Sequence, residues 1–334
     1  MAAAVNRQTI GVVERYRERL ALEPGARVVT MGEGSTPLVH APRISERLGV
    51  EVWLKLESMN PTGSFKDRGM TVAVSKAVAD GASAVICAST GNTAASAAAY
   101  AARAGLVAVI LQPAGAVALG KLAQARAVGA RLLEVRGSFD QALRAAMELG
   151  RRGTHVLVNS VNPWRLEGQK TAPFEIAEEL GAVPDVLALP YGGGGNTTAY
   201  ARGFEEWGGA MPRILAGESA HRAQTVASAI RIAEPVHQHE VEVAVARHGV
   251  EIVTLGDDAI LAAWKELATT EGVFCEPSSA ASIAALAASA PRPGSLAVCV
   301  ITGHGLKDPA TVERSTPPPL TVDPDPDAIA EASA

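Results

Sequence analysis

The chain has 334 residues, 48% of them hydrophobic but only 4% aromatic, with a formal net charge of −5 and a pI near 5.9. That length admits two domains or one large one, and mild acidity without a basic stripe argues against a nucleic-acid partner. Cys87, Cys275 and Cys299 are widely spaced in apolar or small-residue settings and read as reduced thiols rather than a disulfide framework.

No apolar stretch of the length of a signal's hydrophobic region precedes the charges that begin at Arg7, so a secretory signal is not expected. No uncharged apolar run approaches the roughly 20 residues that cross a bilayer. The expectation is a soluble cytoplasmic protein with no membrane partner.

From about Thr9 to Leu22, Ile10, Val13, Tyr16 and Leu20 recur among charges at near-helical spacing, which predicts an amphipathic helix. Gly32-Glu33-Gly34-Ser35-Thr36-Pro37-Leu38 is a breaker-rich loop, and Val50 to Glu57 alternates like a half-exposed strand. That strand leads into Asn60-Pro61-Thr62-Gly63-Ser64-Phe65-Lys66-Asp67-Arg68-Gly69-Met70. Pro61 and Gly63 break the chain, and Ser64 is placed to cap a helix running to about Asp80. Lys66 then lies in a first helical turn, where aligned N–H groups and the positive dipole end disfavour a second positive charge. A neutral amine is what Schiff-base chemistry requires. A solvated surface lysine fits the same residues, so the turn does not decide alone.

A strand and helix rhythm follows. Strands are predicted at Ala84 to Ala88, Leu106 to Leu111 and Arg131 to Val135, with helices at Ala94 to Ala104, Lys121 to Val128 and Ser138 to Gly150. After Val156-Leu157-Val158 a second rhythm takes up: a helix from Gln169 to Leu180, a buried strand from Val186 to Pro190, a helix from Thr197 to Trp207, and strands at Val250 to Leu255 and Leu296 to Ile301. Such alternation predicts α/β architecture with parallel sheets, whose ligands sit beyond the carboxyl ends of the strands. The tail from Thr316, with three successive prolines and an acidic Asp-Pro run, has too little apolar surface to order itself.

Three strand ends carry chemistry. Tyr191-Gly192-Gly193-Gly194-Gly195-Asn196 joins an apolar strand to a helix, so its bare N–H groups read either as a phosphate cup or as a generic turn. It satisfies neither the dinucleotide fingerprint nor the Walker pattern. Ser89-Thr90-Gly91-Asn92-Thr93 can hold a carboxylate, although it also fits an ordinary capping cluster. Thr302-Gly303-His304-Gly305 ends the last apolar strand, and a hydroxyl there can share one hydrogen bond with a ring nitrogen, whereas the bland alternative is a glycine-rich turn. His237 and His239 flank Gln238 without a third ligand at a suggestive spacing, so no metal is expected.

Together these segments resemble the pyridoxal-phosphate enzymes of the tryptophan-synthase-β type, and among them the threonine synthases. The resemblance runs from about Thr9 to Pro309. It rests on Asn60 to Met70, on Ala88 to Ala99, on Asn159-Ser160-Val161-Asn162-Pro163-Trp164-Arg165-Leu166-Glu167-Gly168-Gln169-Lys170-Thr171, on Phe274 to Ser282 and on Thr302 to Pro309. It implies a fold-type-II architecture, two open, twisted, mainly parallel sheets flanked by helices. The larger domain would be residues 1–61 and 158–315, the small mobile domain 62–157, and 316–334 a flexible tail.

The resemblance further implies pyridoxal 5'-phosphate as cofactor, Lys66 as its Schiff-base lysine, Asn92 at its 3-oxygen, Gly192, Gly193, Gly194, Gly195 and Asn196 around its phosphate, and Thr302 at its pyridine nitrogen. Ser89, Thr90 and Thr93 would face the substrate, while Asn159, Ser160 and Arg165 would bind the substrate's phosphate. A homodimer acting on a small amino-acid phosphate is expected, converting O-phospho-L-homoserine and water to L-threonine and phosphate. The alternatives are a related lyase or dehydratase acting on another phosphorylated or hydroxylated amino acid, and a regulator without catalysis, against which the intact Lys66 argues.

The family's glycine loop usually has Asn and Ala where this chain has Gly193 and Gly194. Between Ile214 and Val241 the chain also lacks a Gly-Ala-Ala-Pro segment, and Ile230-Arg231-Ile232 continues as Ala233-Glu234-Pro235. Two readings stand, a trimmed surface loop or an altered cleft wall with Glu234 as a new charge.

Overall fold

Short runs of aliphatic residues supply the strands of this computed structural model, which describes residues 10–115 and 122–333. They are β1 (Leu38–His40), β2 (Glu51–Lys55), β3 (Ala84–Ala88), β4 (Val107–Pro113), β5 (Arg131–Val135), β6 (Val156–Leu157), β7 (Val186–Pro190), β8 (Arg213–Ser219), β9 (Glu251–Leu255) and β10 (Leu296–Val300). Every residue of β3 and of β7 is buried, as parallel strands covered on both faces require. Thr9 and Lys121, where two of the expected helices begin, lie outside the described residues.

Among those residues there are two sheets. One has the order β1-β2-β10-β7-β8-β9 and is parallel except for β1 against β2; the other, β5-β4-β3-β6, is parallel throughout. The period-2 geometry of β3 divides the second sheet's core. Val85 and Cys87 pack with the helices Lys66–Ala79 and Asn92–Ala104. Ile86 and Ala88 pack with Ala142 and Ala146 of the helix Phe139–Arg151. No helix of the described residues is long and apolar enough to cross a membrane.

Local periodicity failed where tertiary contacts compete with it. The expected helix from Thr9 to Leu22 is instead a helical turn, Val12–Arg15, and a 3-10 turn, Arg17–Arg19. Val12, Val13, Tyr16, Leu20 and Leu22 all bury against a cluster containing Phe174, which a single helical stripe would not permit. The expected helix from Gln169 to Leu180 is two helices, Pro163–Gln169 and Thr171–Leu180. Pro173 has no N–H for the carbonyl four residues earlier, which favours a break at Lys170 over one continuous helix. Residues from Gln238 to His248, Asp257 to Thr270 and Pro277 to Ala288 form helices, and Arg213–Ser219 a strand, that the sequence patterns left unassigned. Pro326–Ser333 also forms a helix, with none of its residues buried.

Candidate active site

Lys66 opens the helix Lys66–Ala79, in the first turn as expected, but Ser64 does not cap it. Phe65 holds the cap position, its N–H donating to the Thr302 carbonyl at 3.0 Å, while Ser64 bridges to Gly303 and keeps its buried hydroxyl without a partner. The turn is therefore stitched to the end of β10, and the demands of that stitch override the local capping preference. Gly63 adopts φ +84°, and a β-carbon there would lie 3.1 Å from Lys307 Cε. Asp67 folds back to accept from Thr62 N at 2.7 Å and from the hydroxyls of Thr62 and Ser96, both at 2.6 Å.

The Lys66 amine is lowered to about 7, first by burial and then by the positive charge of Arg165; Glu276 and Cys87 oppose the shift. Arg165 is itself buried on the helix Pro163–Gln169. One terminal nitrogen donates to the Val158 carbonyl at 2.9 Å, but Nε and Nη2 have no partner. Burial brings it down to about 10. A buried guanidinium with two idle donors suits an anion, because little in the surrounding protein offsets its lost hydration. Gly69 lets it approach, since a β-carbon there would lie 2.7 Å from Arg165 Nε.

Asn159 is arranged differently from the expectation of a phosphate ligand. Its carboxamide accepts from Ala88 N at 2.9 Å and donates to Ala88 O at 2.8 Å, clamping the end of β3 to the residues that follow β6. Ser160 offers its carbonyl to His237 Nε2 at 2.8 Å. Ser89, Thr90, Asn92 and Thr93 follow the carboxyl end of β3 and are half-buried, with Ser89 Oγ accepting from Gly91 N. Asn92 Nδ2 reaches both carboxylate oxygens of Glu276 at 3.2 Å. Thr302 Oγ1 lies 3.0 Å from Ser279 Oγ, which also accepts from Gly303 N at 2.9 Å.

The glycine loop follows β7. A β-carbon at Gly192 would be crowded, 3.1 Å from the Ile230 Cα. Gly194 has φ +87°, and the helix Gly195–Trp207 begins immediately after it. The side-chain polar atoms of Asn196 and the hydroxyls of Thr197 and Thr198 are buried without partners. Three features of the loop and its helix thus suit an anion: glycine backbone, a helix N-terminus and idle polar groups.

Glu276 had no assigned role in the sequence, although it stands immediately before Pro277 at a helix start, a position that draws acidic residues. It is buried, and burial pushes its carboxyl up. Ser279 and His237 likewise gave no local signal of their roles, since Thr302 lies 23 positions from Ser279 and Ser160 lies 77 positions from His237. Glu234 is exposed, so the charge it adds faces water. Among the described residues no cluster of His, Cys, Asp and Glu could hold a metal ion.

The family described as pyridoxal-phosphate dependent enzyme matches residues 29–303. The threonine synthase of Halalkalibacterium halodurans is 47% identical, over 90% of this chain and 90% of that protein. The threonine synthase of Mycobacterium tuberculosis is 46% identical, over 96% and 95%. The fold is shared with cysteine synthase from Entamoeba histolytica, whose structure superposes with a TM-score of 0.77 at 21% identity, covering 90% of this chain and 95% of that one.

Proposed function

The chain belongs to the pyridoxal-phosphate dependent enzyme family, and from that premise we infer that it is a threonine synthase, a carbon–oxygen lyase that converts O-phospho-L-homoserine and water to L-threonine and phosphate. The residues present fit the cofactor. A lysine held near neutrality supplies the amine, and the unpartnered polar groups of Asn196, Thr197 and Thr198 beside the glycine loop supply the anion site. When bound, pyridoxal phosphate provides the electron sink that carbanion chemistry needs.

Lys66 would hold the cofactor and move protons at the substrate's Cα and Cβ. Asn92 would meet the cofactor's 3-oxygen, Thr302 its pyridine nitrogen, and Gly192 to Asn196 its phosphate. Ser89, Thr90 and Thr93 would receive the substrate's carboxylate end. The idle Nε and Nη2 of Arg165 would donate to its phosphate, with Ser160 alongside and Asn159 holding the neighbouring strand ends in register. That pair of unsatisfied buried donors is the observation that carries the reading, because a substrate phosphate supplies the charge and the acceptors they lack.

We further propose that residues 62–157 form a small unit that moves against 1–61 and 158–315 to exclude water. Its support is that β3 to β6 all lie within it. A cytoplasmic homodimer completes the reading. The test is product analysis: purified protein should release phosphate and threonine from O-phospho-L-homoserine faster than it processes phosphoserine, serine or threonine, and Lys66→Ala should do neither. A clear preference for one of the other three substrates would overturn the reading.

A further inference from the structure

The segment in which this chain departs from its family's pattern forms the outer wall of the glycine loop. Arg222 donates from Nη1 to the Gly192 carbonyl at 3.2 Å and lies near the Ile232 carbonyl at 3.4 Å. Its guanidinium stacks on the Tyr191 ring, 4.4 Å from the centroid, and pairs with Glu218 at 2.9 Å. The N–H of His237 donates to the Gly193 carbonyl at 3.0 Å, and its Nε2 reaches the Ser160 carbonyl at 2.8 Å. The Gly194 carbonyl accepts from Thr198 N at 3.0 Å within the following helix.

These three acceptors orient three donors. In a trans peptide the carbonyl of one residue and the N–H of the next point to opposite sides of the chain, and the described residues contain no cis bond. With the carbonyls of Gly192, Gly193 and Gly194 engaged, the N–H groups of Gly193, Gly194 and Gly195 face away from those partners, and no backbone acceptor among the described residues takes them. The Gly194 position is also closed to a side chain by this wall, since a β-carbon would lie 2.9 Å from Val241 Cγ2 and 3.1 Å from His237 Cβ.

We propose that Arg222 and His237 are positioning residues: they hold the glycine-loop carbonyls outward so that its N–H groups meet the cofactor's phosphate, and His237 ties that loop to the Ser160–Arg165 segment so that the two phosphate sites are set together. This rests on the function proposed above. Both residues would act through the backbone that meets the ligand.

The test measures the apparent dissociation constant of pyridoxal phosphate by titration of the apoprotein, the 31P resonance of the bound cofactor, and KM for O-phospho-L-homoserine. Arg222→Ala should raise the cofactor dissociation constant about tenfold or more, as expected for loss of a hydrogen bond from a charged donor. It should shift the 31P resonance and leave KM within about twofold, and Arg222→Lys should recover part of the affinity. His237→Phe should raise the dissociation constant and KM together, and His237→Gln, which can still donate to the Ser160 carbonyl, should restore both. Should Arg222→Ala fail to fold, Arg222→Met, which keeps an apolar stem over Tyr191 and has no donor, carries the same expectation. Variants that melt earlier yet keep the wild-type resonance and cofactor affinity would overturn the inference. Failure of the wild-type protein to take up pyridoxal phosphate would overturn the function it rests on, and the inference with it.

Discussion

Asn92 Nδ2 stands 3.2 Å from each carboxylate oxygen of Glu276, joining the loop after β3 to the start of the helix Pro277–Ala288. The same carboxylate favours the protonated form of Lys66, whereas Arg165 disfavours it. An amine loses its proton as pH rises, so the rate at which apoprotein captures pyridoxal phosphate should climb with pH through a midpoint at about 7. The neutral fraction would pass from roughly one tenth at pH 6 to roughly nine tenths at pH 8. Glu276→Gln should move the midpoint to lower pH and Arg165→Gln to higher pH, read from the growth of visible absorbance after mixing. Three identical midpoints would show that neither charge acts on Lys66.

Arg165→Lys should raise KM for the phosphorylated substrate about tenfold, the equivalent of one charge-assisted hydrogen bond, because a point charge replaces a planar fork. Bound pyridoxal phosphate should stay in place. Loss of the cofactor would assign Arg165 to the cofactor's phosphate instead.

Arg68, two residues beyond Lys66, meets Glu175 through contacts of 2.8 and 2.6 Å and Glu57 through two of 2.7 Å, all three side chains buried. Lys55 adds a second cation, 3.2 Å from Glu175. The guanidinium and Lys55 hold the Glu175 carboxyl well below the usual carboxylate range despite its burial. Arg68→Met should cost about 3–5 kcal/mol, since two carboxylates would lose their main partner inside the protein. A lower urea midpoint for the apoprotein checks this; an unchanged one would mean that Lys55 alone suffices.

Thr302→Asp should add a buried carboxylate where only hydroxyls now meet, 3.0 Å from Ser279 Oγ. A carboxylate favours the protonated form of an adjacent ring nitrogen, so the bound cofactor's absorption should change and turnover should fall. An unchanged spectrum with unchanged kinetics would place Thr302 away from the ring.

Features encoded over a few residues were legible in the sequence. The Pro61 and Gly63 breakers fix where the Lys66 helix starts to within a residue or two, the aliphatic runs mark the strands, and the four glycines announce a tight strand-to-helix turn, because each follows from local sterics and backbone hydrogen bonding. What tertiary structure alone decided is which partner each polar side chain finds. Arg68 meets Glu175 107 positions away and Asn92 meets Glu276 184 positions away. Asn159 spends its amide on Ala88, and Arg165 is left with two donors free. Pairing of this kind depends on how the two sheets bring distant strand ends together, and inside the protein the burial that accompanies it sets the cost of each unmatched charge, a quantity that no local pattern of residues contains.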